Sequence, residues 1–165
     1  MEKNLPVYRS IEFNLNSFEL WELISKPSNL NHTHPYCLSN EIISWNNDGR
    51  SDRLIYLNGR NYVRKFDKWE ENEGFTLSIG EEDGPQSFVK WEIKTISSNK
   101  TLLTITIYPY IISKFPRPLR KILHIFWVKP RLQKYLKSVL LGFLYYSENG
   151  SSVPKNHFGK HPWFS

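Results

Sequence analysis

The chain is 165 residues long, with a formal net charge of +6 and a single cysteine, Cys37. That length can bury a core of its own, and one cysteine excludes an internal disulfide. The longest apolar runs, such as Val139 to Tyr146, fall far short of the roughly 18 to 20 residues that span a bilayer. The opening MEKNLPVYRS lacks the apolar stretch of a signal peptide, so a reducing, cytoplasmic setting is expected. The sequons at Asn31, Asn99 and Asn149 are then read as accidental. Aromatic residues make up 15% of the chain, a share that suits either dense packing between a sheet and a helix or the lining of an apolar cavity.

Val7 to Leu15 alternates as a half-buried strand, with Val7, Ile11, Phe13 and Leu15 on one side. Asn16 and Ser17 offer N-cap chemistry with Glu19 in the first turn, and a short helix stops before Pro27. A second helical turn ends at His34-Pro35. From Cys37 to Ile112 the period is two. Strands are expected over Leu38 to Trp45, Arg53 to Leu57, Tyr62 to Glu70, Phe75 to Ile79, Ser87 to Ile96 and Leu102 to Tyr110, with Asn58-Gly59 as the clearest hairpin turn. Short turns make these six strands antiparallel neighbours. Beyond Pro118 the period becomes helical. Leu119, Ile122, Leu123, Phe126 and Trp127 mark an apolar stripe that Leu132, Leu136, Val139, Leu140 and Phe143 continue. Pro130 predicts a break or kink between the two parts, and Asn149-Gly150 predicts the end. One domain over 1–150 is expected, with the aromatic tail 151–165 packing back on it.

Strand, two short helices, a six-stranded meander and a long C-terminal helix is an α+β order. With Ile11-Glu12-Phe13 followed by Leu20-Trp21-Glu22-Leu23-Ile24-Ser25, and Gly142 between Leu141 and Leu144, the chain resembles the START and polyketide cyclase-like (SRPBCC) superfamily, which includes the birch-pollen-allergen type. The resemblance covers roughly residues 6 to 147. It implies a helix-grip fold with a cavity between sheet and last helix that holds hydrophobic or amphipathic molecules such as lipids or polyketides. It does not choose between carriage and catalysis.

In such a cavity, Trp45, Tyr56, Trp69, Trp91, Tyr108 and Tyr135 are the rings singled out for ligand contact, because Tyr and Trp bury a ring and still present a donor. Phe126 and Val139 join them from the helix stripe. Arg64, between Tyr62 and Phe66, either enters the cavity to bind a ligand carboxylate or phosphate, or sits solvated on the convex face. His34, Arg64 and Glu92 are the candidate catalytic groups, since a buried carboxylate or imidazole can be tuned for proton transfer. His32 with His34, and His157 with His161, suggest a metal site only weakly, because Gly159 and Pro162 argue against the helix that the second pair requires. No metal and no cofactor are expected, and Cys37 is expected to be a buried, inert thiol.

No acid lies between Glu92 and Glu148, whereas ten Lys and Arg residues do. Such a block balances acids elsewhere or meets an anionic membrane surface; nucleic acid is not the expected partner. The function expected is binding or transport of a small hydrophobic or amphipathic ligand. Cyclase or dehydratase chemistry, and membrane-surface association through the basic helix, are the alternatives.

Overall fold

The computed structural model describes residues 5–165. The elements run β1 (Val7–Phe13), α1 (Ser17–Ser25), α2 (Leu30–Thr33), β2 (Cys37–Asn46), β3 (Gly49–Tyr56), β4 (Asn61–Glu70), β5 (Gly74–Gly80), β6 (Gln86–Ser97) and β7 (Lys100–Tyr108). A 3-10 turn (Tyr110–Lys114), α3 (Arg117–Leu123), a π-turn (His124–Val128) and α4 (Lys129–Asn149) follow. The strands form one antiparallel sheet in the order β1-β7-β6-β5-β4-β3-β2. The architecture is the α+β helix grip, with α4 lying against the inner face of the sheet.

The capping signal at α1 is realised in full: the Asn16 side chain accepts from the Glu19 amide, and Glu19 reaches back to the Asn16 amide. β7 shows the cleanest alternation in the chain. Thr101, Leu103, Ile105 and Ile107 are buried, and the residues between them face outward. β7 stops at Tyr108 because Pro109 follows and cannot donate to a ladder.

Pro130 does not interrupt the helix. It sits in the first turn of α4, and the irregularity falls just before it, where the Lys129 amide donates to the His124 carbonyl five residues back. The widened turn accommodates a residue that lacks an amide hydrogen. The apolar stripe before Pro130 does not share the buried face of the stripe after it. Leu119, Ile122 and Phe126 are exposed, and α3 buries no residue at all. The stripe after Pro130 is core: Leu132, Leu136, Val139, Leu140 and Phe143 are buried.

Two glycines are required by geometry. Gly150 closes α4 in the left-handed region, at φ 65°. Gly142 lets α4 approach α2 so closely that a Cβ there would lie 2.0 Å from the Thr33 carbonyl oxygen.

After α4 the chain turns back across the body. Val153, His161 and Phe164 are buried. The Val153 amide donates to the His32 carbonyl and the Asn156 amide to the Pro35 carbonyl, while Asn58 Nδ2 holds the Trp163 carbonyl at 2.8 Å. His161 pins the tail to the helix: its Nε2 lies 2.9 Å from the Arg131 carbonyl, and its Nδ1 accepts from the Trp163 amide.

Candidate functional site

The inner face of the sheet divides into two regions. At one end, rings fill the space. Trp21 of α1 packs edge-on against Trp69 and Phe75, and Trp45 packs against Phe66 and Trp69 at 5.3 and 5.7 Å. At the other end a partly open cavity of about 180 Å³ remains between β3 to β7 and α4. Its walls are largely aliphatic, with Leu54, Leu77, Val89, Ile105 and Ile107 from the sheet and Leu132, Leu136 and Val139 from the helix. Tyr62, Tyr110, Trp163 and Phe164 complete it. The tail is thus part of the wall. The Phe164 ring lies 4.5 Å from the rings of both Tyr56 and Tyr135.

One corner of the cavity is polar. The backbone amide of Tyr36 donates to His34 Nδ1 at 3.1 Å, so the imidazole hydrogen resides on Nε2. That nitrogen lies 3.0 Å from the Tyr135 hydroxyl, and the Tyr135 hydroxyl lies 3.0 Å from that of Tyr56. The hydrogens can be counted. His34 offers its Nε2–H and accepts nothing more, so Tyr135 must accept from it. One of the two phenolic hydrogens forms the Tyr135–Tyr56 bond. The other has no acceptor among the described residues, and both phenols line the cavity.

Electrostatics keeps this corner neutral. Burial, reinforced by the nearby positive charges of Arg64 and Lys155, lowers the His34 pKa to about 3. Burial likewise raises the Tyr56 and Tyr135 hydroxyls. At ordinary pH the three groups are an uncharged hydrogen-bond chain. Beside them lies a buried ion pair. Arg64 Nε and Nη2 hold the two oxygens of Asp52 at 2.7 and 2.5 Å. Arg64 is 6% exposed and Asp52 is not exposed at all. β3 and β4 pair these two residues directly opposite each other, which places the carboxylate at the guanidinium fork. Burial alone would lower the Arg64 pKa, and Asp52 more than offsets it.

The structure therefore brings His34, Tyr56, Arg64, Trp91, Tyr135 and Val139 to one cavity. The solvated alternative for Arg64 is corrected, and so is the idea that its bidentate edge meets a ligand anion, because Asp52 occupies that edge. Trp45 faces inward, but it belongs to the ring cluster around Trp69 and not to the cavity wall. Tyr108 points to the outer face, where it packs on its cross-strand neighbour Phe88 at 5.9 Å. Glu92 also faces outward and pairs with Lys90 at 2.6 Å, so it cannot act inside the cavity. Phe126 is 77% exposed and is not part of the cavity lining.

The four histidines do not converge on a metal. His32 bonds Ser152 at 2.8 Å on the surface, and His157 packs against Tyr145 and Phe158. His34 and His161 are engaged as described. Among the described residues no group of three or more His, Cys, Asp or Glu is placed to hold a metal ion. Burial raises the Cys37 thiol to about 11, which makes it a poor nucleophile.

The helix-grip fold, a sheet under a long last helix, is shared with solved START superfamily and ARO/CYC structures. A START superfamily protein from Mycobacterium smegmatis matches with a TM-score of 0.67 at 16% identity, over 88% of this chain and 99% of that one. BexL, a di-domain ARO/CYC protein of the BE-7585A biosynthetic pathway, matches with a TM-score of 0.66 at 11% identity, over 87% of this chain. DynU16, from the dynemicin biosynthetic locus, matches with a TM-score of 0.61 at 16% identity, over 89% of this chain. The chain spans 47% of BexL and 48% of DynU16. No protein-family model matches the chain, and no curated protein matches it.

Proposed function

We propose that the protein binds a small, largely apolar molecule that carries one hydrogen-bond acceptor. A lipid or polyketide-like compound with a carbonyl group is of this class. The observation that supports it is the phenolic hydrogen left over by the His34–Tyr135–Tyr56 chain in a cavity lined mainly by aliphatic and aromatic side chains. A buried donor without a partner is costly, and a ligand acceptor relieves that cost. Binding or transport accounts for the site better than cyclase or dehydratase chemistry. His34 is held neutral with both ring nitrogens engaged, and the phenols are held protonated, so none of the three is poised to exchange a proton near neutral pH.

A matched pair of probes tests this. Binding of 2-acetonaphthone and of 2-ethylnaphthalene is measured by native mass spectrometry and calorimetry. The ketone is expected to bind about tenfold more tightly, the worth of one buried hydrogen bond. Filling the cavity with Val139→Trp is expected to abolish uptake of both. Equal affinities would remove the polar corner from the account, and failure to take up either probe would remove the cavity.

A further inference from the structure

We propose that residues 114–129 form a docking face for an anionic lipid surface. This goes beyond the cavity and rests on different residues. α3 and the π-turn after it form a helical stretch in which Leu119, Ile122, Ile125 and Phe126 are all exposed, Phe126 to 77%. Leu119, Ile122 and Phe126 follow the i, i+3, i+7 spacing of a single helix face. The opposite side carries the packing contacts: His124 and Val128 are buried, and the Trp127 ring meets Trp163 at 5.5 Å. The apolar face is therefore turned to solvent although the helix has an inner side that anchors it.

What covers that face is indicated by its rim. Lys114, Lys121 and Lys129 are exposed around it, and the chain carries no acid from Ile93 to Ser147. Four exposed apolar side chains with a cationic border match the pattern of helices that lie in a bilayer interface, with apolar groups among the acyl chains and lysines among anionic head groups. A second copy of the chain is the poorer occupant, because a two-fold contact would set the same cations against one another.

Placement adds a consequence. Pro109, Tyr110 and Ile111, immediately before this stretch, line the cavity. A protein docked through Phe126 therefore holds the rim of its cavity close to the lipid surface.

Co-sedimentation of the full chain with vesicles tests the proposal. Vesicles are made of phosphatidylcholine alone or with roughly one third phosphatidylserine, each at low and high salt. The expected result is partition onto the anionic vesicles that weakens with salt. Ile122→Ser/Phe126→Ser should bind at least about tenfold more weakly, and Lys121→Gln and Lys129→Gln should each lose about fivefold. Uptake of 2-acetonaphthone should be unchanged in all three variants, which separates loss of docking from loss of fold. Equal binding to neutral vesicles, or full binding by the double serine variant, would overturn the proposal. So would a wild-type dimer that Ile122→Ser/Phe126→Ser converts to monomer, with no vesicle binding by either.

Discussion

His34 Nε2 and the Tyr135 hydroxyl stand 101 positions apart in the chain and 3.0 Å apart in space. Because the other ring nitrogen is occupied by the Tyr36 amide, Tyr135 supplies the acceptor that this buried N–H requires. Tyr135→Phe is therefore expected to destabilise the fold by about 1–3 kcal/mol. Tyr56→Phe leaves the His34 bond intact and should cost less, about 0.5–1.5 kcal/mol. Urea unfolding of both variants decides the matter; a larger loss for Tyr56→Phe would contradict the role of Tyr135 as the acceptor that His34 requires.

The buried imidazole also predicts acid sensitivity. Its folded pKa, about 3, lies below its ordinary value of 6.5. Between those limits the unfolded chain binds the extra proton, so stability is complete above pH 6.5 and falls on acidification. The slope contributed approaches about 1.4 kcal/mol per pH unit. His124 and His161 are lowered by burial as well and add to the slope. The measurement is thus a comparison of unfolding free energy against pH for wild type and His34→Gln, and the variant should show the shallower decline.

The Asp52–Arg64 pair predicts a non-additive double substitution. Removing the carboxylate in Asp52→Ala leaves a guanidinium buried and uncompensated, a loss of about 3–5 kcal/mol. Replacing both groups with apolar residues, as in Asp52→Leu/Arg64→Met, should recover most of that loss. Chemical denaturation of the single and double variants provides the cycle, and additive losses would show that the two charges do not depend on each other.

Gly142→Ala sets two effects in opposition. Alanine gains about 1 kcal/mol of helix propensity, but its Cβ would meet the Thr33 carbonyl and the Pro35 ring at 2.0 and 3.0 Å. Backbone cannot yield as a side chain does, so overpacking of about 1–3 kcal/mol or more should win. A thermal melt above that of wild type would show that α2 and α4 separate more easily than their contact suggests.

Phe164→Ala removes a ring that closes the cavity against Tyr56 and Tyr135. Probe entry and exit should both accelerate, with a smaller change in affinity than in either rate. Stopped-flow binding of 2-acetonaphthone measures this, and unchanged rates would place the entry path elsewhere.

Much of the frame was legible because it is set by local signals. The Asn16–Glu19 cap, the Asn58-Gly59 turn and the alternation of β7 each act within a few residues. The site was less legible because its facts depend on register. Two irregularities in β2, between Cys37 and Ser39 and between Ile42 and Ser44, change which side chains share a face, so Trp45 could not be placed by counting. Tyr108 could have been placed, since strict alternation from the apolar Ile105 and Ile107 puts it outward. Asp52 was missed because its importance lies in the residue opposite it on β4. The exposed stripe of Leu119, Ile122 and Phe126 carried the same periodicity as a buried one; periodicity finds an apolar face but not what lies against it.

The pairing of β1 with β7, which sets Val7 opposite Ile107, has a kinetic consequence. Strands β2 to β7 can zip up hairpin by hairpin, whereas β1 must close a loop of nearly the whole sheet before the last edge forms, a slow, high-contact-order step. The cavity wall also needs α4, Trp163 and Phe164, which lie still further along the chain. A bound molecule therefore meets its full set of contacts only on the native side of the folding barrier. Ligand should lengthen the lifetime of the folded protein against unfolding while leaving its rate of folding almost untouched.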